Sequence, residues 1–355
     1  MPNPAELASR AERAANQLRD WLIEGPVQQA DGGVAGVVDA VGGCRYVYGE
    51  ITGYYLHWLA QARSADPQRR RERAARALAW VEANYHEALA PTRLVRDSDD
   101  NDWRNAAQFL FDLAMLAGGL TQAARAGLIA PLAKRMNALA GAFDDFVADG
   151  QLRACRWMQP LRAPLPRWST AGGPFLAKAA SRALMAEALF PFAPAFSNAC
   201  RDTLHAVNTL GVNRGIGMLH PTLYAMEGAV ADRASNEAAL RRWLATLLKL
   251  QDVTDGSLPE NPGVAGAKRS DVMAQALRLG ATLDLANHVP DSAAALSGLA
   301  TALIARVRDD GVAFDPAREP NEANVWCAMF AEQALRGHAA QLRGEPLPFA
   351  ADEIV

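Results

Sequence analysis

The sequence lacks the features that place a protein in a membrane or outside a reducing compartment. No stretch of about 18 residues is both apolar and uncharged, so we expect no transmembrane helix. The N-terminal stretch before Leu22 is charged throughout and has no apolar core of the kind found in a signal peptide. The four cysteines lie far apart and form no Cys-x-x-Cys pair, which is typical of a reducing compartment. These absences together predict a cytoplasmic protein.

Aromatic residues and charge of one sign are also scarce. Phe, Trp and Tyr make up 7% of the chain, and the net charge is only −3. Such a weak overall field gives no reason to expect nucleic acid or an anionic membrane as a partner. The sequence contains no Gly-x-Ser-x-Gly, no P-loop and no Gly-x-Gly-x-x-Gly followed by an acid in a strand–turn–helix context. We therefore expect no cofactor.

What the sequence does contain is helical periodicity along nearly the whole chain. Ala, Leu and Arg dominate, and alternating β-branched runs are missing. Predicted helices alternate between a more charged and a less charged kind. The charged helices are predicted at 4–23, 67–90, 121–149, 194–210, 234–252 and 291–309, and the less charged ones at 50–63, 103–117, 172–189, 221–231, 270–286 and 322–337.

The less charged helices recur about every fifty residues, each after a loop rich in Gly, Pro and Asp. A repeat of this length indicates six helical hairpins, which could stack as an open solenoid or close into a ring. In a closed double ring the inner six helices are screened by the outer six, which explains the lower charge of every second helix. We therefore predict an all-α (α/α)6 toroid formed by residues 1–355 as a single domain.

One face of the predicted inner helices carries polar and aromatic groups instead of leucines. In "GEITGYYLHWL" the spacing i, i+4, i+7 puts an acid, a phenol and an imidazole on one helical face. These sets are Glu50-Tyr54-His57, Arg104-Gln108-Phe111, His220-Tyr224-Glu227, Asp271-Gln275-Arg278 and Glu322-Trp326-Met329. Because buried polar groups are costly unless paired or hydrated, we predict a water-filled central cavity lined by these faces.

A simpler interpretation exists for some of these groups. Asp271 and Glu322 could be helix caps, since a carboxylate near an N-terminus stabilises a helix by about 0.3–1 kcal/mol. His57 and His220 could each be a satisfied core histidine. Neither interpretation accounts for the polar groups deeper along the same helices.

The architecture predicts which groups exchange protons. In a ring of six hairpins the first and fourth stand opposite each other, so their inner helices would present the same residue types in reversed order. His220 precedes Pro221, which suits the first turn of a helix, so its imidazole should reach solvent and substrate and act as a base near pH 7. The candidate catalytic residues from these two helices are Glu50, Tyr54, His220 and Tyr224.

Six hairpins in 355 residues, with glycine-rich loops before the inner helices, resemble the (α/α)6 toroid proteins. These include six-hairpin glycosidases, polysaccharide lyases and uronate epimerases, and the terpenoid-cyclase and prenyltransferase-β group. The resemblance covers the whole chain. It implies a site in the central cavity, at the end reached by the loops that lead into the inner helices.

The densest acidic cluster, "RDSDDND" at 96–102, precedes the second inner helix. Its Asp97-Ser98-Asp99-Asp100 is similar to the Asp-x-Asp-Asp motif of class II terpenoid cyclases, where the middle Asp protonates an alkene or epoxide. The resemblance makes Asp99 and Asp100 candidate catalytic residues. Those cyclases also carry a dense aromatic lining and repeated Gln-Trp motifs, which this sequence lacks. A solvated helix-capping cluster is the alternative interpretation.

Arginines occur in every loop that leads into an inner helix. These are Arg45, Arg96, Arg167, Arg214, Arg269 and Arg318. Parallel inner helices would also bring their positive N-terminal ends to the same cavity mouth, which favours an anionic ligand such as a uronate, sulfate or diphosphate. The candidate substrate-binding residues are Arg45, His57, Arg96, Asp102, Gln108, Arg214, Glu227, Arg269, Asp271, Gln275, Asn324 and Trp326.

A metal is not expected. Toroid prenyltransferases and lanthionine cyclases hold zinc with Cys and His, and Cys327 lies beside Trp326 on the sixth inner helix. No matching Cys/His pair at ligand spacing accompanies it.

Three functional hypotheses remain. The first is a carbohydrate-active enzyme, a hydrolase, lyase or uronate epimerase, that acts by acid/base catalysis on an anionic sugar or glycan. The second is a class II cyclase-like enzyme that uses Asp99 as the acid. The third is a non-catalytic toroid that binds a small molecule, a glycan or another partner.

Overall fold

Helices account for most of the structure, a computed structural model that describes residues 3–44, 46–85, 93–95, 106–130, 137–157, 167–210, 217–264 and 266–355. The chain divides into two compact units, one of residues 26–209 and one of residues 1–25 with 210–355. We call the first the N-terminal unit and the second the C-terminal unit. The predicted all-α class is confirmed, and the single domain over 1–355 stays a prediction.

The helices are α1 (Pro4–Glu24), α2 (Gly49–Gln61), α3 (Pro67–Asn84), α4 (Leu110–Arg125), α5 (Asn137–Ala142), α6 (Leu176–Ala186), α7 (Pro194–Leu210), α8 (Leu219–Ala229), α9 (Arg233–Leu248), α10 (Ser270–Thr282), α11 (Leu285–His288), α12 (Ser292–Ile304) and α13 (Val325–Leu342). The strands are β1 (Val37–Asp39), β2 (Tyr46–Tyr48), β3 (Arg93–Val95), β4 (Ala107–Phe109), β5 (Val147–Ala148), β6 (Gln151–Leu152), β7 (Cys155–Trp157), β8 (Val307–Arg308), β9 (Gly311–Val312) and β10 (Glu322–Asn324).

The strands are two or three residues long and lie in the connections between helices. In the N-terminal unit β2 pairs antiparallel with β3, β4 with β7, and β5 with β6. In the C-terminal unit β8 pairs antiparallel with β9. These ribbons satisfy backbone groups in the loops that precede or follow helices.

The outer helices begin where the sequence supplies caps. The side chain of Asn3 accepts a hydrogen bond from the backbone N–H of Ala5 at 3.0 Å, and that of Asp66 accepts from Arg69 at 2.8 Å. A proline follows each of these capping residues. A proline at the first helical position loses no hydrogen bond there, so both helix starts are encoded locally.

Burial separates the two kinds of helix as their charge predicts. All 13 residues of α2 and all 13 of α10 are buried, whereas only five of the 18 residues of α3 are. A helix buried all round belongs to the interior of a fold, and one with a single apolar stripe covers its surface.

Within the N-terminal unit, glycines bring α2 and α4 into close contact. A Cβ atom placed on Gly119 would lie 2.0 Å from the backbone oxygen of Gly53, and one placed on Gly53 would lie 2.5 Å from the backbone of Leu116. Only residues without a side chain allow the two backbones to approach this closely.

Several predicted boundaries were wrong, among them the end of the helix predicted at 291–309, which lies at Ile304. The helix predicted at 121–149 ends at Arg125, and the described residues after 136 form α5, a 3-10 turn and the β5–β6 hairpin. Asp149 and Gly150 close this hairpin with φ of 51° and 74°, the left-handed pair that a two-residue turn requires. The inner helix predicted from 103 begins at Leu110, and the one predicted from 322 begins at Val325, because a strand precedes each.

In the part of the chain that the structure describes, no helix combines the length and the hydropathy needed to cross a membrane.

Candidate active site

In the C-terminal unit, α8 and α10 hold their polar stripes side by side. Near the start of both helices, Nδ1 of His220 lies 2.8 Å from Oε1 of Gln275 and 3.4 Å from Oδ2 of Asp271. Two turns further along, Nε of Arg278 donates to Oε1 of Glu227 at 2.8 Å. The first turn of α8 lies beside the first turns of α10, and the last turn of α8 lies beside a later turn of α10. The two helices therefore run parallel. The two stripes therefore face each other, as their spacing predicts.

The carboxylate of Asp271 accepts four hydrogen bonds within the described residues. It accepts two hydrogen bonds from Arg269, at 3.0 and 2.7 Å, one from Nε1 of Trp326 at 3.2 Å and one from the backbone N–H of Val272 at 2.8 Å. Burial by itself would raise the pKa of Asp271, but the charge and hydrogen bonds of the Arg269 guanidinium outweigh it and lower the pKa. Asp271 is therefore a fixed carboxylate and not a proton donor.

Arg269 connects this carboxylate to an aromatic pair. Its Nη1 donates to Oε1 of Glu260 at 2.9 Å, and its guanidinium lies 4.4 Å from the centre of the Phe314 ring. The rings of Phe314 and Trp326 meet edge to face, with centroids 5.9 Å apart. Burial would lower the pKa of Arg269, yet the Asp271 carboxylate raises it overall. The charge of Arg269 is thus already compensated by carboxylates of the same unit.

His220 is neutral in this environment. Only 4% of its surface is exposed, and its ring lies 4.2 Å from that of Tyr224, centroid to centroid. Burial lowers the pKa of His220 to about 4, although the Asp271 carboxylate opposes the shift. The expectation that the imidazole reaches solvent was wrong, because the first turn of α8 packs against α10. Its expected neutral form near pH 7 agrees with this pKa.

Glu227 and Arg278 lie deeper in the same interface. Neither side chain is exposed, and the Arg278 guanidinium lies 3.8 Å from the centre of the Phe330 ring. A buried ion pair of this kind holds two helices in register. Glu227 therefore has a structural role in the contact between α8 and α10, whereas its sequence position predicted contact with substrate.

In the N-terminal unit, the predicted set on α2 is buried as a whole. Glu50, Tyr54 and His57 are 8%, 1% and 2% exposed. The ammonium group of Lys178, at the start of α6, lies 4.8 Å from the centre of the Tyr54 ring. Gln108 is buried as well, but it lies on β4 and not within a helix, so the set Arg104-Gln108-Phe111 does not form one helical face.

Sequence reasoning missed Lys178 and Arg182. Both are buried, and they lie one helical turn apart on α6. The signal was present in "FLAKAASRALMA", where two basic residues stand at i and i+4 of an otherwise apolar helix. Asp112 on α4 is a third buried charged residue that the comparison of inner helices passed over. It was missed because the helix was predicted to begin seven residues too early.

Asn324 has a structural partner. Its Oδ1 accepts a hydrogen bond from the backbone N–H of Cys327 at 2.9 Å and caps α13. Glu322 precedes this cap on β10 and is not part of the helix, so Glu322-Trp326-Met329 is not a helical stripe.

Several predicted residues lie outside the described residues. These are Arg45, Arg96, Asp99, Asp100, Asp102 and Arg214. The whole Asp-x-Asp-Asp motif at 97–100 is among them, so the cyclase hypothesis stays a prediction. The approach of Glu50 and Tyr54 to His220 and Tyr224 across a central cavity also stays a prediction.

Among the described residues, no group of three or more His, Cys, Asp and Glu side chains is placed to hold a metal ion. Cys327 is buried near Asp271, and burial raises the pKa of its thiol well above the usual value.

Comparisons with known proteins bear on the fold. Neither the family models nor the curated proteins contain a match to this chain. Among solved structures, a cellobiose 2-epimerase from Spirochaeta thermophila is 14% identical with a TM-score of 0.68, over 96% of this chain and 98% of that one. A wild-type glycosidase is 13% identical with a TM-score of 0.66, over 98% and 100%. An unsaturated glucuronyl hydrolase specific for heparin is 11% identical with a TM-score of 0.65, over 96% and 99%.

At these identities the likeness establishes the fold. The chain shares the (α/α)6 toroid fold of these structures, which confirms the predicted fold class and the predicted likeness in architecture.

Proposed function

We propose that this chain is a carbohydrate-active enzyme that acts on a sugar or glycan by acid/base catalysis, with His220 as the group that exchanges the proton. The observation that carries the proposal is the placement of His220 Nδ1 against Gln275 and Asp271. A histidine whose ring is oriented by a hydrogen bond at one nitrogen is a recurring arrangement in acid/base catalysis. The solved epimerase, glycosidase and glucuronyl hydrolase of the same fold support the choice of a sugar substrate.

The carboxylates of the C-terminal unit favour one kind of reaction. Asp271 is held ionised by Arg269, and Glu227 is engaged by Arg278. The acid of a glycoside hydrolase must instead keep its proton until the glycosidic oxygen takes it. Among the described residues of this unit, the neutral imidazole is better suited to removing a proton from a carbon of the sugar. Epimerisation and elimination both begin with that step, so we favour an epimerase or a lyase over a hydrolase.

Trp326 supplies a surface suited to a sugar ring. It is partly exposed, its indole N–H donates to Asp271, and its ring meets that of Phe314 edge to face. An aromatic ring that is anchored through its polar atom can present an apolar face without losing conformational entropy on binding. We propose that this face packs against the C–H face of the substrate.

That the sugar is anionic is a more specific proposal than that the substrate is a sugar. Arg269 is paired with two carboxylates, and Arg318 is 60% exposed with Asp315 at 3.7 Å. Of the other loop arginines, Arg167 is exposed, and Arg45, Arg96 and Arg214 lie outside the described residues. A neutral sugar therefore belongs in every substrate test beside a uronate.

The test is a substrate panel combined with two changes at His220. Asn places its amide nitrogen near the position of Nδ1 and keeps a donor for Gln275, whereas Gln places it near Nε2. Both changes remove the titrating ring, so turnover should fall by about 10²–10⁴-fold while the melting temperature barely moves. The panel holds cellobiose and a uronate-containing disaccharide.

Three readouts separate the reaction classes. New reducing ends report hydrolysis, ultraviolet absorbance of an unsaturated uronate reports elimination, and deuterium uptake from D2O at a stereocentre reports epimerisation. Full turnover by a folded His220→Asn protein would remove His220 from the mechanism. Sugar binding without turnover on the whole panel would favour the non-catalytic toroid.

A further inference from the structure

Gln275 makes the shorter of the two polar contacts described for Nδ1 of His220. Its Oε1 lies 2.8 Å from Nδ1, and Oδ2 of Asp271 lies 3.4 Å from the same nitrogen. An ionised carboxylate accepts hydrogen bonds and cannot donate them, so a lone pair on Nδ1 would be repelled by Asp271. The ring proton of neutral His220 therefore belongs on Nδ1, the amide turns its oxygen toward it, and the lone pair is on Nε2.

Gln275 itself is not placed to touch a substrate. It is 0% exposed, and it lies one turn below Asp271 on the wholly buried α10. Its other amide atom, Nε2, is buried and has no hydrogen-bond partner among the described residues. An unsatisfied buried donor costs about 1–3 kcal/mol of stability. A residue kept only for stability would be apolar here, or hydrogen-bonded through both ends.

We propose that Gln275 is a positioning residue that, together with Asp271, holds His220 in the Nδ1–H tautomer and in one ring orientation, which leaves the lone pair on Nε2. The use of that lone pair as the base rests on the proposed function, and the tautomer does not. This assignment replaces the substrate-binding role that the sequence pattern predicts for Gln275.

An amide is suited to this role because it is neutral. The charged groups that act on His220 are Asp271 and Arg269 from the α10 side and Glu227 from its own helix, and the ring of Tyr224 covers one side. The two carboxylates favour the imidazolium and Arg269 disfavours it. A third carboxylate at 2.8 Å would stabilise the imidazolium further. An amide oxygen orients the ring without adding a charge, so the imidazole stays neutral and can accept a proton.

The experiment is nitrogen-15 NMR of the imidazole side chains in the full-length protein. The chain has six histidines, and the His220→Asn spectrum identifies the signal of His220. We expect the wild type to show a protonated Nδ1 with a slowly exchanging proton. In Gln275→Met that proton should exchange rapidly, because its 2.8 Å acceptor is gone.

Activity supplies a second readout, in which two variants of Gln275 should differ: one in kcat and the other in its pH–rate profile. Gln275→Met should keep its stability and its KM but lose about 10- to 100-fold in kcat, as expected when the partner that orients a functional imidazole is removed. Gln275→Glu should keep Nδ1 protonated and move the acid limb of the pH–rate profile upward by about one unit or more, because a carboxylate stabilises the imidazolium.

Gln333 on α13 provides the matched control. It is also 0% exposed, but its Nε2 donates to the backbone oxygen of Glu353 at 2.8 Å and its Oε1 accepts from Val355 at 3.0 Å. Gln333→Met should therefore lose stability and leave the His220 signal and kcat unchanged.

Two results would overturn the assignment: a wild-type ring proton on Nε2, or an unchanged Nδ1–H signal in Gln275→Met. Full turnover by His220→Asn would defeat the proposed function while leaving the NMR result on the tautomer intact.

Discussion

Glu227 and Arg278 form an ion pair between α8 and α10 in which neither side chain is exposed to solvent. Removing one partner would leave the other charged and buried. We expect Arg278→Met to lose about 3–5 kcal/mol of unfolding free energy. Replacing both partners by Met should restore most of that loss, since two apolar side chains need no hydrogen bonds. Urea denaturation of the two proteins measures the difference, and equal losses in the single and double variants would show that the pair itself matters little.

His338 on α13 makes the fold sensitive to acid. The side chain is 2% exposed, and neither ring nitrogen has a hydrogen-bond partner among the described residues. Burial lowers its pKa to about 4 from 6.5 in a model peptide. The unfolded chain therefore binds this proton more readily than the fold does. The stability associated with neutral His338 is fully present above about pH 6.5 and falls by about 3 kcal/mol as the pH drops toward 4.

A His338→Leu protein should show a weaker pH dependence of stability over that window. His220 titrates in the same direction, so part of the slope should remain. The measurement is the urea midpoint at pH 7, 6, 5 and 4, with a change at the exposed His288 to Leu as the control. A slope identical to that of the wild type would contradict the assignment to His338.

The contact between α2 and α4 depends on glycine at 119. A methyl group there would meet the backbone oxygen of Gly53 at 2.0 Å, and backbone atoms cannot yield as a side chain can. Gly119→Ala should therefore lose about 1–3 kcal/mol or more of stability, although alanine is intrinsically the better helix former.

Gly141 offers the opposite case on α5, because no atom of the described residues lies within 4 Å of a Cβ atom there. Gly141→Ala should be neutral or stabilising by up to about 1 kcal/mol. Thermal unfolding of the two variants checks the prediction. A Gly119→Ala protein as stable as Gly141→Ala would mean that the helices separate at no cost.

The site could be predicted from sequence only in part. The spacing of His220-Tyr224-Glu227 and Asp271-Gln275-Arg278 is a property of one helix at a time, so their stripes were found without a structure. Lys178 and Arg182 were missed because the compared sets came from the other five inner helices and none from the one predicted at 172–189. Gln108 was assigned to a helical face because a three-residue strand leaves no alternation long enough to recognise.

By itself the sequence determined the helical class, the alternation of interior and surface helices, and the faces that carry polar groups. These follow from composition and from the 3.6-residue period, which each segment expresses locally. Only the tertiary structure decided that Arg269 is compensated by Asp271 and Glu260, that His220 is buried and neutral, and that Gln275 faces its Nδ1. Charge state and hydrogen-bond partner depend on distances of a few ångströms between side chains far apart in the chain. No local pattern encodes those distances; the packing of α8 against α10 sets them.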